Sequence, residues 1–174
     1  MIRKDSTFVP PSSSCRVLQT ACTNPHANLA TEEWLFEEEG KESKKCHILY
    51  LWRNSPTVVI GAHQNAYKEC DLPAMERDGV FLARRRTGGG AVFHDLGNTN
   101  FSFLSPAAKD NSMRAESVAK NMAIITKALS RFGLVASTSG RNDIALGGRQ
   151  VSEKAIREGS LGQLHHGTLL IDTD

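Results

Sequence analysis

Arg84-Arg85-Arg86-Thr87-Gly88-Gly89-Gly90-Ala91-Val92-Phe93-His94 is the stretch that decides how the rest of the chain is read. An apolar run, Val80 to Ala83, leads into it, and Ala91 to Phe93 leaves it as a second one, so it reads as a loop between strands. Three consecutive glycines permit backbone conformations and close approaches that side chains block. Backbone N–H groups in such a turn can face phosphate oxygens, and guanidinium groups beside it add bidentate donors. The stretch therefore reads as an anion cradle. A glycine hairpin beside a solvated basic strand end fits the same residues. No Gly-Lys-Ser/Thr follows, and the G-x-G-x-x-G spacing is missing, so neither a P-loop nor a dinucleotide fold is indicated.

Working outward, Arg16 to Thr20 reads as a short strand. Asn24 then caps a helix that Pro25 starts, with Ala27, Ala30, Trp34 and Leu35 as its apolar positions and Gly40 as its stop. His47 to Trp52 and Thr57 to Gly61 read as a strand–turn–strand pair around Asn54-Ser55-Pro56. Asp71 to Gly79 is a short helix. Asn100 to Leu104 is a strand joined to Ala91–Phe93 by a turn over Asp95 to Asn98. Val118, Met122, Ile125, Leu129 and Phe132 form one apolar stripe on a helix over Ser112 to Phe132. Leu134 to Ser137, Asp143 to Leu146 and Leu164 to Asp172 are strands, and Gly147-Gly148 turns the chain into Arg149 to Ser152. The order is mixed rather than a regular βαβ alternation. It predicts an α+β fold with a mixed, largely antiparallel sheet and flanking helices.

Composition narrows the function. Twenty-one basic side chains stand against 19 acidic ones, a net charge of +2, without the basic excess that nucleic-acid partners favour. No apolar run reaches the eighteen or so residues that a membrane span needs. We therefore expect neither nucleic acid nor membrane as a partner. Cys15, Cys22, Cys46 and Cys70 form no C-x-x-C pair, which fits a reducing compartment. The polar start, Met1 to Ser14, has no apolar core of a secretory signal. A mitochondrion or related organelle is the expected compartment, with the cytoplasm as the alternative.

Two more segments carry chemistry. Gly140-Arg141-Asn142-Asp143 leads into the Gly147-Gly148 hairpin, and Asp143 could bind a cation, accept a proton from an amine nucleophile or serve as an ordinary turn aspartate. His165-His166-Gly167-Thr168 starts a strand. Neighbouring strand residues face opposite sides, so the two histidines cannot serve one site directly, and one of them is structural.

The ordered set resembles lipoate–protein ligase A and the mitochondrial lipoyltransferases. The matching pieces are Asn28-Leu29-Ala30 with Glu32-Glu33; Leu51-Trp52-Arg53-Asn54; Thr57 to Gly61 with Gln64-Asn65; Lys68-Glu69-Cys70; Arg84 to Asn98; Gly140 to Asp143; Gly147-Gly148-Arg149; and His165 to Leu170. The resemblance implies a class II synthetase-like fold shared with biotin–protein ligases. It implies that lipoate attacks ATP to give lipoyl-AMP, and that a carrier lysine then takes the acyl group. Implied acceptors are lipoyl domains of 2-oxoacid dehydrogenase E2 subunits and the glycine-cleavage H protein. Implied cofactors are ATP and Mg²⁺, with lipoate as substrate. Arg85, Gly88, Gly89, Gly90, Ala91, Val92, Phe93, Asn142 and Gln150 are the implied nucleotide and lipoyl-AMP contacts. Asp143 and Gln150 are the catalytic candidates, and Asp143 is the metal candidate. Residues 1–15 read as a flexible tail and 16–174 as the catalytic domain, cut short at its C-terminal end. A separate C-terminal accessory domain or subunit is implied with it.

Two positions depart from the family. Gln150 stands where the family has a lysine, and Glu153 where it has a glycine. Losing one charge-assisted contact in such a site costs about 3 kcal/mol, or a hundredfold in rate. Lys154 would lie about 13 Å further along a straight strand, so it could substitute only through a bend. A transfer-only or non-catalytic lipoyl-AMP-binding protein is therefore the alternative. An octanoyl transferase needs a thiolate, and no cysteine follows Cys70. Biotin–protein ligases typically begin the ligand loop with Gly-Arg-Gly, which Arg84 to Gly90 does not match.

Overall fold

Asn24 Oδ1 accepts the backbone N–H groups of His26 and Ala27, both at 3.0 Å, and so starts helix α1, Pro25–Lys41. The computed structural model describes residues 14–41, 46–139, 143–160 and 162–173. In chain order, α1 follows strand β1 (Ser14–Gln19) and precedes β2 (Cys46–Trp52) and β3 (Thr57–Ile60). Short helices α2 (Ala66–Glu69) and α3 (Leu72–Arg77) lead to β4 (Phe81–Arg84), β5 (Val92–His94) and β6 (Asn98–Ser105). Helix α4 (Asn111–Ser130) precedes β7 (Ala136–Ser139), β8 (Asp143–Leu146), β9 (Arg149–Ser152), β10 (Lys154–Glu158) and β11 (Gln163–Leu170).

Among the described residues, three sheets result. The largest has the order β1-β2-β6-β11-β10 and is antiparallel except where β1 meets β2. A second has the order β4-β3-β5, and a third is the antiparallel β7-β8-β9. The expected α+β class and its largely antiparallel pairing are both found.

Alternation along the large sheet builds two cores. Ile48, Tyr50, Trp52, Leu104 and Leu164 meet Leu35 and Phe36 of α1 on one face. Phe101 and Phe103 meet Val118, Met122 and Ile125 of α4, with Ile144, on the other. The apolar stripe of α4 is thus where its periodicity put it, except that the helix ends at Ser130 and leaves Phe132 exposed.

Three expectations need correction. His47–Trp52 and Thr57–Gly61 do not pair with each other, because β2 joins the large sheet and β3 the β4-β3-β5 sheet. The connection holds Asn54 fully buried and linked to Asn28, and serves as a crossover between sheets rather than a hairpin. The strands over Ala91–Phe93 and Asn100–Leu104 are joined, as expected, by a turn in which the Asn98 N–H donates to Asp95 O, and they enter different sheets. The buried side of α1 is Asn28, Glu32, Leu35 and Phe36, whereas Trp34 is 59% exposed. The same helix runs through Gly40 to Lys41 instead of stopping. The Gly147-Gly148 hairpin is present as expected between β8 and β9.

Candidate functional site

The glycine loop is held from beneath by its own arginine. Arg85 is 8% exposed, and its guanidinium donates to three backbone carbonyls: Val59 at 3.1 Å, Gly88 at 3.0 Å and Gly90 at 2.7 Å. Burial lowers its pKa, while the carboxylates of Glu153 and Glu32 push it back up. Arg84 lies outside, donating to the carbonyls of Gly61 and Gln64. The loop's Gly88, Gly89, Gly90 and Ala91 are exposed.

Behind this loop a cavity opens on the α1 side of the large sheet. Its enclosed part is about 40 Å³, and the whole recess, open solvent included, is about 430 Å³. Leu29, Trp52, Val59, Val92 and Ala155 give it apolar walls, and Arg85, His94, Glu153, Lys154, His166 and Thr168 give it polar ones. A mostly apolar slot with a few convergent polar groups is the usual form of a small-molecule site.

Two buried networks set its walls. His166 Nδ1 lies 2.8 Å from Glu32 Oε1, and its Nε2 lies 2.9 Å from Thr87 Oγ1. Ser102 donates to the same Glu32 oxygen at 2.5 Å, and Trp52 Nε1 donates to Ser102 at 3.0 Å. Burial raises the Glu32 carboxyl, but His166, Ser102 and Arg157 outweigh it, leaving the group below its ordinary range. In the second network, Asn28 Nδ2 serves Cys22 O, Arg53 O and Asn54 Oδ1, and Asn54 Nδ2 donates to His94 Nδ1 at 3.2 Å. An amide nitrogen only donates, so His94 Nδ1 accepts and the proton sits on Nε2. Burial first, then the Arg85 charge, brings His94 down to about 4, so it is neutral at pH 7.

The histidine pair divides as alternation requires. His165 faces α4, where Asn121 Nδ2 lies 3.2 Å from its Nδ1 and Phe103 stacks on it. Burial, with the charges of Lys154 and His166, holds it at about 3. It is the structural member, and His166 is the one at the cavity.

Among the sequence candidates, Arg85 and Val92 line the cavity. Phe93 points away from it and is 49% exposed. Asn142 and the side chain of Asp143 lie outside the described residues. Gln150 is exposed, its Nε2 donates to Ser152 O at 3.1 Å, and it does not line the cavity. Lys154 does line it, and its Nζ is shielded from solvent. The straight strand that separated positions 150 and 154 is not there. The chain leaves the β7-β8-β9 sheet at Ser152 and enters the large sheet at Lys154, bending at Glu153.

Sequence reasoning missed Glu32, Thr87, His94 and Asn28 as site-building residues. The available signal was the spacing of Asn28 and Glu32, four apart on one helix face. Polar residues at that spacing read as solvent-facing unless their partners on distant strands are known.

Residues 24–174 match the family model described as the lipoyl protein ligase A/B catalytic domain. Lipoate-protein ligase A of Psychrobacter cryohalolentis is 51% identical over 159 residues, 91% of this chain and 44% of that protein. The chain thus spans less than half the length of this relative. The crystal structure of P. falciparum LipL1 in complex with lipoate superposes with a TM-score of 0.80 at 36% identity, covering 93% of this chain and 49% of that one. A lipoate-protein ligase A bound with ATP gives a TM-score of 0.80 at 30% identity, covering 93% of this chain and 68% of that one.

Proposed function

This chain belongs to the lipoyl protein ligase A/B catalytic domain family, and from that premise we propose that it attaches lipoate to lysines of lipoyl carrier domains through lipoyl-AMP. The observation that carries the reading is the apolar cavity directly behind the glycine loop, with a buried arginine between them. An eight-carbon acyl tail would lie against Leu29, Trp52, Val59, Val92 and Ala155. Each buried methylene contributes about 0.8 kcal/mol, so such a slot can supply micromolar-scale binding. The carboxylate end then lies toward the loop, where Arg85 and Lys154 supply positive charge and the exposed Gly88–Ala91 backbone can meet phosphate oxygens.

In the first half-reaction a lipoate carboxylate oxygen attacks the α-phosphorus of ATP, and the bond to pyrophosphate breaks. In the second, a lysine nitrogen attacks the acyl carbonyl and AMP leaves. Both steps depend on positioning and charge stabilisation rather than on a nucleophile from the protein. Mg²⁺ would enter with the nucleotide, which suits a cation usually held by phosphates plus one or two carboxylates. Among the described residues, no group of three or more His, Cys, Asp or Glu side chains is placed to hold a metal alone. Acceptors of this reading are E2 lipoyl domains and the glycine-cleavage H protein, with a C-terminal accessory unit assisting.

The test is mass spectrometry of a purified lipoyl domain incubated with this protein, ATP, Mg²⁺ and lipoate. A mass gain of one lipoyl group that requires ATP supports the reading; an unmodified domain refutes it. Gln150 outside the cavity and a carboxylate, Glu153, in its wall favour a transfer-only variant. That variant predicts modification from preformed lipoyl-AMP but none from lipoate and ATP.

A further inference from the structure

Glu153 is the residue at which the chain passes from the β7-β8-β9 sheet to the five-stranded sheet. Its backbone is fixed there on both sides. Its N–H donates to Thr168 Oγ1 at 3.3 Å, and its carbonyl accepts the Thr168 N–H at 2.9 Å. The side chain is exposed, yet it belongs to the cavity wall, where it is the one carboxylate among the described residues. Its charge reaches the Arg85 guanidinium that supports the glycine loop. A carboxylate in this position is unhelpful to an anionic acyl substrate and to ATP. It suits a visitor of the opposite charge at the same mouth.

The reaction requires one such visitor. A lysine side chain arrives as an ammonium, must align its nitrogen with the acyl carbonyl, and must lose protons as the amide forms. Resting on the function proposed above, we propose that Glu153 receives the acceptor lysine at the cavity mouth and takes the proton that its nitrogen sheds as the amide bond forms. The arriving ammonium first releases one proton to solvent at the open mouth, and the neutral nitrogen then gives its electron pair to the acyl carbonyl carbon. The carbon–oxygen bond to AMP breaks, and AMP leaves with that electron pair. As the C–N bond forms the nitrogen becomes acidic, and its remaining surplus proton passes to the Glu153 carboxylate. Glu153 thus serves the second half-reaction and opposes the first.

The two half-reactions separate this role from a structural one. Pyrophosphate release from lipoate and ATP, without acceptor, reads the first. Single-turnover transfer from chemically prepared lipoyl-AMP to an isolated lipoyl domain reads the second. Glu153→Gln should slow transfer by about a hundredfold, the usual scale for a positioned proton acceptor, while pyrophosphate release stays level or rises. Glu153→Asp should recover part of the transfer. Transfer at the wild-type rate in Glu153→Gln overturns the proposal. So does an equal loss of both half-reactions without rescue by Asp, which is what distortion of the sheet junction would give. Wild-type protein inactive in both assays refutes the ligase reading itself, and this proposal with it.

Discussion

His166 reaches across the cavity wall to Glu32, Nδ1 to Oε1 at 2.8 Å, joining β11 to the middle of α1. Both residues are buried, at 7% and 4% exposure. The other ring nitrogen meets Thr87, so the loop that carries the three glycines is tied through one imidazole to the helix that floors the site. The contacts hold in either ring state. A charged imidazole donates from both nitrogens, and a neutral one donates to Glu32 and accepts from the Thr87 hydroxyl.

Removing one end of this tie should cost more than removing one end of an exposed ion pair. Glu32→Ala strands His166 Nδ1 and the Ser102 hydroxyl in a water-poor interior. Breaking a buried pair from one side costs about 3 kcal/mol or more. Denaturant unfolding should show that loss, whereas Glu116→Ala, in an exposed (i, i+4) pair with Lys120, should stay within about 0.5 kcal/mol. Equal stability of the two variants would contradict the buried tie.

The α4 stripe and the Gly147-Gly148 hairpin were legible because each is decided by neighbours in sequence: a 3.6-residue period and a two-residue turn. The face of α1 was not, because its buried Asn28 and Glu32 are explained only by Asn54, Ser102 and His166 on distant strands. Sheet membership was illegible for a related reason. Local pattern marks Thr57–Ile60 and Arg149–Ser152 as strands but carries no information on which sheet each joins. The same gap explains Lys154, which a straight strand displaces from the site and a change of sheet at Glu153 brings to it.

Gly89 should tolerate a methyl group far less than Gly88. Its φ is +102°, and a Cβ there would lie 2.7 Å from Arg85 Nη2, the atom that holds Gly88 and Gly90. Gly89→Ala should destabilise by about 1–3 kcal/mol and loosen the loop. A Cβ at Gly88 meets nothing within 4 Å, so Gly88→Ala should change stability by no more than about 0.5 kcal/mol. Thermal melts of the two variants, compared directly, decide the matter.

Acid should unfold this protein through its buried histidines and Glu32 together. His94 and His165 are held at about 4 and about 3, against an ordinary 6.5. Between those limits the unfolded chain binds protons that the folded chain refuses, so stability falls as pH drops below about 6.5. Each histidine contributes a slope of about 1.4 kcal/mol per pH unit. Glu32 acts in the same direction: its folded pKa is lowered, so its stabilisation is present above the unfolded value and lost as pH falls through the folded one. Unfolding free energy measured from pH 7 to pH 4.5 should decline steeply, and His165→Gln should flatten the decline by about one proton. A flat profile in the parent protein would show that these rings are not buried neutral.

The apolar slot makes a prediction about chain length. Ala155 lines it directly opposite His166 on the neighbouring strand. Ala155→Leu adds three carbons to the wall, which should displace about as many methylenes of a bound acyl tail. At about 0.8 kcal/mol each, lipoate or octanoate affinity should fall by about 2 kcal/mol, roughly thirtyfold. Hexanoate, which ends short of the filled region, should lose much less, so the variant narrows or inverts the preference for the longer chain. Titration calorimetry with octanoate and hexanoate against both proteins measures this. An equal loss for the two acids would place the leucine at the carboxylate end, and no loss for either would place the tail outside this cavity.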